Sequence, residues 1–141
     1  MSLFTYGTLL FPEVLLALIG RVPQRQTISV DDWRVVALKN RIYPGLVAAP
    51  GAIAHGCLLT GLNDNEWCLL DQFEDSSYEL RQLTLLGIQN GLAYIWVDDA
   101  EISLDTWDIQ SFASNHLAAY VKRCAEWYGC SSIRAWEKGW N

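Results

Sequence analysis

The feature that most constrains the fold is a change of period near residue 98. Before it, the chain is a succession of short apolar and β-branched runs separated by turn residues; after Asp98-Asp99 the apolar positions recur at helical spacing. Only two stretches of the first part read as helices, so strands and helices are largely segregated. That pattern is α+β, most simply a mixed or antiparallel curved sheet or small β-barrel of about six strands with helices set around it.

Taken in order, Leu3 to Tyr6 is a buried strand and Gly7-Thr8 ends it. Pro12 suits the first turn of a helix with the body Glu13 to Ile19, stopped by Gly20. In the loop between them Gly7 allows a close backbone approach, and consecutive free N–H groups leading into a helix either hold an anion or simply complete a turn. Thr27 to Lys39 supplies one or two strands, Arg41 to Val47 an extended segment interrupted by Pro44-Gly45, and Ala48 to Ala52 a loop. A strand from about Ala54 to Leu62 leads into the second helix. Beyond it Tyr78 to Leu86 partly alternates, Gln89-Asn90-Gly91 reads as a type I′ hairpin turn, and Leu92 to Val97 is the return strand. Phe112, Leu117, Tyr120, Val121, Cys124 and Trp127-Tyr128 outline one amphipathic helix of about twenty residues, within about 107–129. With Trp136 and Trp140, the segment 131–141 is too aromatic for a free tail and is expected to tuck back or meet a partner chain. No repeat or linker divides the chain, so 1–141 reads as a single domain.

Composition closes several functional classes. A net charge of −6 leaves no basic stripe for phosphate backbones, so nucleic acid is not an expected partner. No apolar run is long enough to span a membrane, and the first residues lack the basic region of a signal peptide, which together point to a cytoplasmic protein. Cys57, Cys68, Cys124 and Cys130 are widely spaced in apolar or aromatic surroundings and read as reduced. His55 and Cys57 share a strand face, but two ligands do not make a zinc site, so no metal is expected.

The stretch Leu70 to Tyr78 carries the one carboxylate that is out of place. Asn63 with Glu66 three residues later forms a capping box that opens a helix running to about Glu74. Trp67, Leu70 and Glu74 then share a face, which places Glu74 in an apolar stripe. Glu66 has a capping role at the positive end of the helix dipole, whereas Glu74 sits at the negative end with no Lys or Arg within four residues. Either the helix end frays and Glu74 faces water, or Glu74 is partly desolvated and its pKa rises from about 4.3 into the range of a general base.

Tyr6-Gly7-Thr8-Leu9 resembles the signature of the γ-glutamylcyclotransferase-like superfamily, in its AIG2-like branch. Matching residues follow in order: Arg41 with Tyr43-Pro44-Gly45, Gly56, Leu70-Asp71 with Phe73-Glu74, then Tyr78, Arg81 and Ala93-Tyr94. The region Trp107 to Tyr120 is similar to the C-terminal segment of plant members, so the likeness covers roughly 3–125. The resemblance implies a small barrel and the conversion of a γ-glutamyl amide or amine into 5-oxoproline and a free amine, with no cofactor. It implies Glu74 as the proton acceptor and Tyr6, Gly7, Thr8, Leu9, Leu10 and Phe11 as the substrate loop, with Tyr43 and Tyr78 as further substrate contacts. Tyr78 either hydrogen-bonds to substrate or Glu74, or is a half-buried sheet tyrosine; Tyr94 is expected to be the latter, and Arg41 either balances a substrate carboxylate or is a loop charge. One departure stands out: Leu80 occupies a position where relatives often carry Arg, and Arg81 comes one residue later, on the opposite strand face. The expected partner is a small γ-glutamyl molecule, on a monomer or weak homodimer. The competing readings are a binding module that uses the same pocket without turnover, and an interaction protein that works through its aromatic tail.

Overall fold

A computed structural model of the chain describes residues 1–85 and 89–129; the aromatic tail, with Cys130, lies outside them. Strands β1 (Leu3–Thr5), β2 (Gln24–Leu38), β3 (Gly45–Thr60), β4 (Tyr78–Leu85), β5 (Gln89–Trp96) and β6 (Ile102–Thr106) form one sheet in the order β4-β5-β1-β3-β2-β6. Only the β1–β5 contact is parallel. The sheet curls into a half-barrel rather than closing, with β4 and β6 as its edges. Among the described residues four α-helices accompany it: α1 (Pro12–Ile19), α2 (Asp64–Phe73), α3 (Ile109–Asn115) and α4 (Leu117–Gly129).

Strand alternation divides the core in two. Leu3, Leu59 and Tyr94 point to the helices, where they meet Val14, Leu15, Leu18, Leu70, Phe112, Tyr120 and Cys124. Their neighbours Phe4, Leu58, Ala93 and Ile95 point to the other face and fill the curl with Ile28, Val30, Leu46 and Leu85. Strand β1 is apolar at consecutive positions because it is covered on both sides, which is why three residues suffice to anchor the sheet centre.

Several sequence expectations are corrected. The two strands flanking the expected loop at Ala48 to Ala52 are one 16-residue strand, β3, paired along nearly its whole length with β2. The turn residues there serve a bulge: Asp32 at φ 69° faces Gly51 at φ 85°, and the Gly51 N–H donates to Asp32 Oδ1 at 2.9 Å. The Asn90-Gly91 pair lies within β5, opposite Thr84 and Leu83, and is not a turn; residues 86–88 lie outside the described ones. Gly91 is needed there for packing, since a Cβ would come 2.6 Å from Leu85 Cδ1. The single C-terminal helix is two helices broken at His116, whose φ of −129° is not helical, and β6 precedes them.

Helix α2 begins as its spacing requires. Asn63 Oδ1 accepts from the Glu66 N–H at 2.8 Å and Glu66 Oε1 accepts from the Asn63 N–H at 3.0 Å. Arg21 adds a two-point contact to the buried Glu66 carboxylate, both at 2.6 Å, which draws the end of α1 against α2. Asn63→Ala is expected to lower the unfolding free energy by about 1 kcal/mol without changing the denaturant dependence; urea titration reads it, and an unchanged midpoint would show that Arg21 alone holds this helix end.

Candidate active site

A cavity of about 480 Å³ opens between the end of β1, the end of α2, β4, β5 and α4. This volume lies in the range of small-molecule sites, about 300–1,000 Å³. Its walls bring together Tyr6, Gly7, Thr8, Leu9, Tyr43, Glu74 and Tyr78, which stand far apart along the chain. Leu10 and Phe11 are not among its lining residues. The Leu10 carbonyl accepts from Arg25 Nη1 at 2.9 Å, and the Phe11 ring packs on Phe112 at 5.4 Å, because the chain turns outward there to enter α1.

Glu74 reaches the cavity by a different route from helical phase. Helix α2 ends at Phe73, and Glu74 is its C-cap with extended dihedrals of φ −66° and ψ 147°. Its N–H still closes on the Leu70 carbonyl at 3.1 Å, but the chain then swings away and delivers the side chain to the hollow. Among the described residues no group donates a hydrogen bond to its carboxylate and no cation pairs with it. Burial, and then the charges of Asp71 and Asp75, push its pKa up to about 8.

The next residue has the opposite environment. Asp75 accepts from the Tyr43 hydroxyl at 2.6 Å, from Arg41 Nε at 3.2 Å and from the Ser77 N–H at 2.9 Å. Burial works to raise its pKa, yet these bonds together hold it below the usual carboxylate value. Burial and Asp75 in turn push the Tyr43 phenol up to about 12. Asp75 therefore clamps the segment Arg41 to Pro44 against the end of α2. Arg41 is fully engaged in that clamp: it also reaches Glu101 at 3.4 Å and lies over the Trp96 ring at 4.9 Å.

The glycine of the first loop has a steric reason. A Cβ on Gly7 would come 2.7 Å from Pro44 Cγ, so only glycine lets the loop close on the clamped segment. Thr8 to Leu10 then forms a 3-10 turn. Its first N–H groups have no acceptor within the turn, as at any helical start, and they belong to residues that line the cavity.

The tyrosines share a pattern that individual positions do not reveal. Tyr6 donates to the Tyr94 carbonyl at 2.6 Å, Tyr78 to the Pro44 carbonyl, and Tyr94 to Asp71 Oδ1 at 3.2 Å. With their protons committed to the protein, the Tyr78 and Tyr94 hydroxyls offer lone pairs, whereas the Tyr6 oxygen already faces the Leu46 N–H and the Tyr78 hydroxyl. The cavity around Glu74 is thus rich in acceptors. Thr8 Oγ1 lies 3.3 Å from the Tyr120 hydroxyl, tying the loop to α4.

Tyr94 is buried as a sheet tyrosine, yet it lines the cavity and carries a polar role beyond the one expected. Arg81 pairs with Glu79 at 2.9 Å and lines a separate hollow with Trp33 and Trp96, so the one-residue shift does take it away from this site. Sequence reading did not name Asp71, Asp75, Tyr120, Arg123 or Trp127 as site residues. Asp71 lay within the matched motif and Asp75 beside Glu74; the other three carried no local signal. Among the described residues no group of three or more His, Cys, Asp or Glu is placed to hold a metal, and no helix is long and apolar enough to cross a membrane.

The curled mixed sheet with its helices is a γ-glutamyl-cyclotransferase-like fold. A solved γ-glutamyl cyclotransferase superposes with a TM-score of 0.61 at 14% identity, over 87% of this chain and 85% of that one. A solution structure of an Arabidopsis thaliana protein superposes at 0.64 with 22% identity, over 97% of this chain and 83% of that one. The chain belongs to the γ-glutamyl cyclotransferase, AIG2-like family, whose pattern matches residues 3–110. Among curated relatives, AIG2-like protein D of A. thaliana is 29% identical over 133 residues, 89% of this chain and 87% of its own length. AIG2-like protein C of the same plant is also 29% identical, over 85% of this chain and 73% of its own.

Proposed function

We propose that this protein is a cofactor-independent cyclotransferase that converts a γ-glutamyl amide into 5-oxoproline and a free amine, with Glu74 as the proton carrier. The observation that supports it most is an unpaired, half-buried carboxylate in the same hollow as the Gly7 to Leu9 loop. A structural carboxylate in that position would have a cation or donors, as Glu66 and Asp75 have.

The reaction is intramolecular. The substrate α-nitrogen attacks the γ-carbonyl carbon, a C–N bond forms to close the five-membered ring, and the amide C–N bond breaks. Two protons leave the α-nitrogen and two arrive at the departing nitrogen, so no water or outside acid is consumed. Holding the chain in its ring-forming conformation supplies much of the acceleration, since effective molarities of about 10⁵ M or more attend such alignment. The Tyr78 and Tyr94 oxygens beside the Glu74 carboxylate suit an α-ammonium, and the N–H groups of Gly7 to Leu9 suit the substrate's carboxylate or developing oxyanion. A base raised to about 8 lies closer to an α-ammonium than an ordinary carboxylate does, so the proton passes at a lower free-energy cost.

The test is 5-oxoproline release, followed by mass spectrometry, from a panel of γ-glutamyl amides and peptides. Release from at least one substrate class is expected. Thermal stabilisation by these compounds with no product from any of them would replace the enzyme with a binding module.

A further inference from the structure

We propose that Arg123 is a specificity-determining residue that recognises a carboxylate on the leaving amine, so that the favoured substrates are γ-glutamyl amino acids or peptides rather than γ-glutamyl alkylamines. This rests on the cyclotransferase reading and deepens it. Arg123 is the one Lys, Arg or His side chain among the described residues that line the cavity. Its position on α4 lies beyond residue 110, where the family match ends, so it belongs to a wall that the shared pattern does not specify.

The placement separates Arg123 from the reacting centre. Helical side chains lean toward the N-terminus, and the Arg123 guanidinium lies back over the Tyr120 ring, 5.9 Å from its centroid. Tyr120 meets Thr8 on one side and the edge-packed Phe73 ring on the other; Phe73 in turn packs against Trp127 at 5.3 Å. Phe73, Tyr120 and Trp127 thus form an apolar strip, with Arg123 exposed beside it. No ion pair within 4 Å joins Arg123 to Glu74 among the described residues. A γ-glutamyl group between Glu74 and the loop N–H groups then directs its amide substituent along the strip toward Arg123. Glu126 also lines the cavity, but no ion pair within 4 Å joins it to Arg123 among the described residues, so the guanidinium is not neutralised.

Two substrates that differ by one carboxylate test this: γ-glutamyl-phenylalanine and γ-glutamyl-phenethylamine, assayed with the whole chain and with Arg123→Gln, Arg123→Lys and Arg123→Glu. An exposed ion pair contributes at most about fivefold, so the wild type is expected to favour the phenylalanine compound by about that factor in kcat/KM, through KM. Arg123→Gln removes the preference, Arg123→Lys keeps part of it, and Arg123→Glu reverses it, each with kcat nearly unchanged. Equal loss on both substrates would overturn the assignment by showing that Arg123 binds the glutamyl α-carboxylate common to both. Turnover of both compounds with no preference in the wild type would overturn it while leaving the cyclotransferase intact. No turnover of any γ-glutamyl compound would overturn both.

Discussion

Glu74→Gln is expected to fold normally and to lose about 10²–10⁴-fold in kcat for 5-oxoproline release, the range for removing a positioned acid–base group. Gln keeps the length and planarity of the side chain, so the hollow retains its shape and substrate still enters. What disappears is the ability to take a proton from the α-ammonium and return it to the departing amine. The wild-type kcat/KM should rise with pH through about 8, and that limb should vanish in the variant. Asp75→Asn provides the contrast, because Asp75 holds Tyr43 and Arg41 in place. Its loss should raise KM and loosen the 41–45 segment without removing the pH limb. A Glu74→Gln enzyme within tenfold of the wild-type kcat would show that another group carries the proton.

The parts of the molecule that were legible in sequence are those set by near neighbours. The strand, loop and helix of residues 3–19, the Asn63–Glu66 capping box and the Gly20 stop all depend on contacts within a few positions, and all are present. Glu74 stood out for the same reason: no cation lay near it along the chain. Where the deciding contact is remote, local pattern misleads. Asn90-Gly91 is a strong turn signal, yet both residues pair within β5, where a Cβ on Gly91 would crowd Leu85 of β4 and Leu58 of β3. Pro50-Gly51 reads as a loop until Asp32, nineteen residues earlier, accepts its N–H and turns it into a bulge within one long strand. The cavity was half visible. Tyr6 to Leu9 were named through family likeness and Glu74 through both spacing and that likeness, but the clamp of Asp75 on Tyr43 and Arg41, and the α4 wall of Tyr120, Arg123 and Trp127, depend on packing across more than thirty residues. Spacing along the chain holds no record of it.

The same substitution should also reveal Glu74 through stability. Its carboxyl is held near 8 in the native state and titrates near 4.3 when the chain unfolds. Between those values the folded protein carries a proton that the unfolded chain has released. Stability therefore falls as pH rises through this window, by at most about 1.4 kcal/mol for each pH unit, whereas the favourable state is fully present below about 4. Asp75, Glu66 and Glu79 have depressed values, so their contributions run the other way and are lost only under acidic conditions. Gln has nothing to titrate. Urea unfolding at pH 5, 7 and 9 should thus show Glu74→Gln gaining on the wild type by a few kcal/mol as pH rises, with little difference at pH 5. A more stable and inactive variant is what a site built around an uncompensated charge predicts, because the cost of ionising a half-buried carboxylate disappears when it can no longer ionise. If the two proteins keep a constant stability difference across this range, Glu74 titrates as an ordinary solvated acid and the proposed base has no raised pKa.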